Sequence, residues 1–230
     1  LVSDRLIMGR KNISQEKIIQ AFLASAFEKS AGATSLSDIA DYLEIKKASL
    51  YNHFESRDAI YESTLNYCKN EFQSVSFLSD KALDTVEKNK ISIKILFKKL
   101  ITRYYNLFEN EPYFQIFVFL QTEKYFNYAA FEIINDLNLK LINDIKKIFR
   151  SFQKVGKLEN FLEKDLQEIS EHISLIIFQS MDFYLAKRKE IVRQNPDSGA
   201  GCLFALPTDN ELLNKTLKNI ELYFKYLNIL

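Results

Sequence analysis

The stretch Glu44-Ile-Lys-Lys-Ala-Ser-Leu-Tyr-Asn-His-Phe54 decides how the chain is read. Leu50 and Phe54 are four residues apart, so one short helix points both the same way. Its opposite side then carries Ala48, Ser49, Tyr51 and Asn52, with Lys47 and His53 at the margins. Apart from one small residue, these are hydrogen-bonding or positively charged tips. The stretch is too polar for a core and too regularly spaced for a loose loop.

Upstream, Ser14 is placed to cap a first helix, and Glu16 in its first turn complements the helix dipole. Ile18, Phe22, Ala26 and Phe27 recur along it at helical spacing, and Gly32 supplies the stop. Ser35-Leu-Ser-Asp38 has the spacing of a capping box and opens a short helix with Leu36, Ile39, Ala40 and Leu43 inward. Downstream, Ser56 caps a fourth helix with a weaker stripe of Ile60, Leu65, Cys68 and Phe72. Residues 14–55 thus read as three short helices, the last two separated by a tight turn, which is the helix-turn-helix arrangement. Periodicity alone fits any small helical hairpin equally well.

Beyond it, residues 76–90 read as a polar connection. A long amphipathic helix runs from Ser92 to about Asn110, and Pro112 starts the next at a permitted early position. Over residues 128–153 the i, i+3, i+4 spacing of Ile133, Ile134, Leu137, Leu141, Ile145, Ile148, Phe149 and Phe152 holds for about seven turns. Gly156 breaks that run and a second long helix begins near Phe161. Asn195-Pro-Asp-Ser-Gly-Ala-Gly201 is the strongest loop signal, and a last helix starts at about Asp209. With three prolines, five glycines and no strand pattern in 230 residues, the expected fold class is all-α. The expected domains are 1–56, a helix-turn-helix unit with residues 1–13 as an arm, and 57–230, a helical regulatory unit.

The chain is 47% hydrophobic and 27% charged with a formal net charge of +1, so a nucleic-acid partner must be met by locally concentrated positive charge. Cys68 and Cys202 form neither a CxxC nor a disulfide framework, which fits a reducing cytoplasm. There are only two histidines, and the HExxH, P-loop and nucleophile-elbow patterns are missing. No cofactor, metal or catalysis is therefore expected. No apolar run approaches the roughly 18 residues that span a bilayer, so no membrane partner is expected. Met8-Gly-Arg-Lys reads as a more natural start than Leu1, which would make residues 1–7 a remnant.

The window Thr34-Ser-Leu-Ser-Asp-Ile-Ala-Asp-Tyr-Leu-Glu-Ile-Lys-Lys-Ala-Ser-Leu-Tyr-Asn-His-Phe-Glu-Ser-Arg-Asp-Ala-Ile60 resembles the TetR family of bacterial transcriptional regulators. Ile39-Ala40, Ile45, Leu50-Tyr51, Phe54 and Arg57 fall at the family's offsets without a gap. There are two departures. Glu44 stands where the family has a turn glycine, and a non-glycine residue at φ > 0 costs roughly 1–2 kcal/mol. Lys46 replaces the usual serine, removing a side-chain cap and adding a charge.

The resemblance implies a ligand-responsive repressor that binds a palindromic double-stranded operator as a homodimer. Tyr51, His53 and Arg57 would meet phosphates, which position a protein on DNA. Lys47, Ser49, Asn52 and Ser37 would supply base-edge or mixed contacts, with Lys46 also in the DNA-binding set, and Arg10 and Lys11 read either as a minor-groove arm or, in preference, as a solvated tail. It further implies dimerisation through the last two helices, about 162–188 and 209–230. A small-molecule effector, lipophilic or aromatic, would sit among Tyr104, Phe114, Phe117, Gln121, Tyr125 and Phe178. Each of these six also reads as ordinary core. The competing reading is a helical ligand-binding or adaptor protein without DNA binding, which salt-dependent DNA affinity would exclude.

Overall fold

The structure, a computed structural model, describes residues 13–88, 90–194 and 206–229. Met8, the arm residues Arg10 and Lys11, the loop expected at Asn195–Gly201 and Cys202 lie outside those residues. Every regular element among the described residues is helical. The chain divides into two compact units, 1–67 and 68–230. The division falls inside a helix, eleven positions beyond the expected boundary at 56/57.

In the first unit α1 spans Gln15–Lys29 and α2 Leu36–Tyr42, followed by a short 3-10 helix, Lys47–Asn52, and the start of α3, Arg57–Ser74. The caps explain the boundaries. Ser14 accepts from the Lys17 amide, and Ser56 from the Ala59 amide. Ser35 and Asp38 close a reciprocal capping box, and Lys29 pairs with Asp38 at 2.5 Å. Lys29 and the two Ser35 hydrogen bonds hold the Asp38 carboxyl well below its ordinary pKa. Ile18, Phe22, Phe27, Ile39, Ala40, Leu50 and Ile60 are buried together as the core.

The turn after α2 is a Schellman motif. The Ile45 amide donates to Ala40 O at 2.9 Å and the Glu44 amide to Asp41 O at 3.1 Å. This geometry puts Glu44 at φ +54°, in the left-handed region that glycine occupies without strain. The same motif ends α7 (Tyr128–Lys154) with Gly156 at φ +69° and α9 (Asn210–Tyr226) with Asn228 at φ +52°.

The second unit adds α4 (Asp80–Glu87), α5 (Ile93–Phe108), α6 (Tyr113–Glu123) and α8 (Glu163–Gln194) to α7 and α9. The polar connection expected over 76–90 thus contains a helix. Its eight residues carry only Ala82, Leu83 and Val86 as apolar positions, too few to show a period. α5, α7 and α9 begin after side-chain caps, with Ser92 accepting from Ile95, Asn127 from Ala129 and Asp209 from Glu211 and Leu212, whereas α6 follows Pro112 without one. α7 packs against α4, α6 and α8, and α9 covers α5 and α8. Aromatic rings fill the interior: Phe97, Phe149 and Phe224 form one cluster with centroids 4.9–6.0 Å apart. Phe77, Tyr104 and Phe108 form another, with centroids 4.8–6.3 Å apart. Lys140 of α7 donates to the carbonyls of Phe72, Gln73 and Val75 at 2.8–3.1 Å, capping the C-terminal end of α3.

Candidate nucleic-acid interface

The polar stretch at 46–53 is presented by a 3-10 helix whose inner side is fixed by Leu50, 1% exposed, and Phe54, 9% exposed. Lys46 makes no side-chain cap, and the helix is closed instead by Ser49 N–H to Lys46 O at 2.8 Å. Its far end is held by Gln15, whose amide donates to His53 O at 2.9 Å. Nothing local in the sequence marks Gln15 for this role, because it is 38 residues from His53.

With about three residues per turn, side chains three apart eclipse. Ala48 therefore stacks with Tyr51, and Ser49 with Asn52, in two ridges rather than the single α-helical face expected. Lys46, Lys47, Ala48, Tyr51 and Asn52 are exposed, as is Ser37 on α2, while Ser49 and His53 are half-buried. Tyr51 is 54% exposed, too open for a packing residue. Neither Lys46 nor Lys47 pairs with a carboxylate among the described residues. Their charge is thus available to an anionic partner.

Arg57 stands apart from this set. Its Nε donates to Thr34 O at 2.8 Å, its second terminal nitrogen to Ala31 O, and its first to Asp58 at 3.2 Å. The guanidinium also lies 5.5 Å over the Phe22 ring. Three of its five N–H donors are thus engaged, and those to Ala31 and Thr34 fasten α3 to the turn between α1 and α2. Carbonyls 23 and 26 residues away create that role, so the local sequence does not show it.

Comparison with known proteins agrees with this geometry. The pattern of the family described as bacterial regulatory proteins, tetR family, matches residues 18–64, which contain the whole face. The negative transcriptional regulator IcaR of the biofilm operon icaADBC in Staphylococcus aureus is 32% identical over 136 residues, 59% of this chain and 69% of IcaR. The chain belongs to the TetR family. TetR-family proteins are DNA-binding transcriptional regulators that bind operators and generally dimerise, and this protein is such a regulator. IcaR of Staphylococcus epidermidis is 38% identical over 58 residues, 25% of this chain and 31% of that one. A TetR regulator from Haloarcula marismortui superposes with a TM-score of 0.57 at 12% identity, covering 91% of this chain and 95% of that one, a likeness of fold alone.

The six expected effector residues divide between core and groove in this TetR-family chain. Tyr104, Phe114 and Phe117 are buried core; the Phe117 centroid lies 5.1 Å from Phe108 and 5.6 Å from Phe178. The Tyr104 hydroxyl is fully buried with no hydrogen-bond partner among the described residues, and burial pushes its pKa up. Gln121 accepts from Lys124 at 2.5 Å. Tyr125 and Phe178 line an open groove of about 270 Å³ with Phe131, Asn138 and Leu175. Aromatic spacing shows that these residues are large and apolar, not which neighbours fill the space between them.

The apolar side chains left outside follow the same division. α7 and α8 expose Phe131, Leu139, Leu175 (59%) and Phe183 (66%). α9, expected in the dimer contact, turns Leu213, Ile220 and Phe224 inward and leaves Leu222 (52%) and Tyr226 (78%) exposed. It is tied to α5 by Tyr105 with Thr216 at 2.9 Å and by Lys94 with Glu221 at 3.0 Å. Among the described residues no helix is long and apolar enough to cross a membrane.

Proposed function

We propose that the protein is a homodimeric, effector-responsive repressor that reads a palindromic operator in the cytoplasm by binding alone, without catalysis. The observation that carries this reading is the unpaired cationic and polar face of residues 46–53, set on the buried Leu50 and Phe54. Tyr51 and His53 meet phosphates. Lys46, Lys47, Ser49 and Asn52, with Ser37 from α2, reach base edges or mixed sites, Asn pairing with adenine and Lys with guanine. Arg57 positions α3 beneath them. The negative regulation named for IcaR supports repression here.

The dimer uses the exposed faces of α7 and α8 in place of the expected pair α8 and α9. Phe131, Leu175 and Phe178 are contiguous along one groove, and a copy of the same face covers them in an isologous contact. Two such subunits present two recognition helices to half-sites about one helical turn apart or more.

Lys47→Ala and Tyr51→Phe test the DNA contacts. Each weakens binding to a duplex selected from a random library by about tenfold, in line with roughly 1–3 kcal/mol per contact, and leaves the melting temperature unchanged. Wild-type affinity for both variants in an electrophoretic shift assay defeats the assignment.

A further inference from the structure

We infer that the cleft between α4 and α5 binds a single-chain anionic amphiphile as the effector, an inference that rests on reading the second unit as the regulatory one. The cleft has a free volume of about 320 Å³, with Phe77, Leu96 and Leu100 as an apolar floor and Lys81, Lys99 and Arg103 around it. That volume is at the lower end of small-molecule sites, enough for one medium-length chain and too small for a two-tailed lipid.

Charge decides the ligand class. Lys99 and Arg103 are four apart on α5 and so lie on the same face, a like-charge pair that disfavours the helix unless an anion joins it. None of the three cations pairs with an acidic side chain among the described residues, and no carboxylate lines the cleft. Elsewhere in the unit Lys94, Lys146, Arg150, Lys154, Lys187 and Arg193 hold carboxylates, whereas Lys98, Lys215 and Lys218 hold none among the described residues. A neutral lipophile leaves the three charges unanswered, and a cation adds to them. A carboxylate, sulfate or phosphate head on an aliphatic chain satisfies both parts of the cleft. Phe77 and Leu78 belong to the link that follows α3, so an occupant bears directly on the segment leaving that helix.

The test is calorimetric titration of the full chain with sodium decanoate below its micellar concentration. One saturable site per chain is expected, with decanol and decyltrimethylammonium binding at least tenfold more weakly. Lys99→Glu combined with Arg103→Glu weakens decanoate at least tenfold. Leu100→Trp, which fills the cleft, abolishes its binding. Decanoate also shifts the operator affinity of the wild type and not that of the double variant. Absent binding, equal binding of decanol, wild-type binding by the double variant, or binding without a shift in operator affinity overturns the proposal. So does binding to anionic phosphatidylglycerol vesicles but not to free decanoate. Operator binding without amphiphile, measured on the same proteins, reports separately on the DNA-binding reading, which stands if only the cleft fails.

Discussion

Glu44 holds the left-handed position of the Schellman turn at φ +54°, where its Cβ crowds the following carbonyl. A non-glycine residue there costs about 1–2 kcal/mol, and the greater freedom of an unfolded glycine returns roughly 0.4–1 kcal/mol of any gain. Glu44→Gly is therefore expected to stabilise the protein by about 0.5–1 kcal/mol, the difference of those two effects. A urea denaturation midpoint at or below that of the wild type would refute the strain. This oddity was legible in the sequence, because a glutamate in a turn glycine's place is a local fact. Arg57 was not. The same residue in the same place on α3 can serve a phosphate or its own fold. Only the packing of α1 and α2, which brings the Ala31 and Thr34 carbonyls close, shows the structural share of that role. The Tyr104 hydroxyl is a similar case, since its lack of a partner depends on every neighbour at once.

Helices with many periodic turns or good caps were legible and α4 was not, because eight residues with three apolar positions do not establish a period. The seven-turn pattern of α7 and the Gly156 stop located the α7–α8 hairpin, but not how its ends are tied. Glu163, in the first turn of α8, accepts from Arg150 at 2.7 Å and pairs with Lys146 at 2.8 Å. Its bonds to Arg150 and then Lys146 hold its pKa down at about 2, against an ordinary 4.5. A depressed carboxylate contributes stability above its unfolded pKa and loses it as pH falls through the folded one. Melting temperature should thus fall between about pH 4.5 and 2, and less steeply in Glu163→Gln. Because the site is open to solvent, the effect also shrinks with added salt. Identical acid profiles for the variant and wild type would remove Glu163 from the account.

For the whole molecule, the family was readable from one window of residues and the all-α class from the chain's composition and periodicity, whereas the assembly surface was not. Amphipathic helices announce that a face is apolar, but α7, α8 and α9 all satisfy that description. Only the packing shows that α9 commits Leu213, Ile220 and Phe224 to α5 and α8 while Leu222 and Tyr226 stay outside. Leu175→Lys places a charge in the proposed contact. It should convert the dimer to monomer in analytical ultracentrifugation and lower operator affinity about a hundredfold, because one recognition helix is left to bind without the other. A variant that sediments as the wild-type dimer would move the interface elsewhere. Among the described residues α3 is the one element shared by both units. Arg57 fastens its first residue, and the Lys140 ammonium holds the carbonyls at its end. Helices ordinarily open by fraying from their termini, and here both termini are closed to it. Local opening of α3 must then begin inside the helix and not at either end.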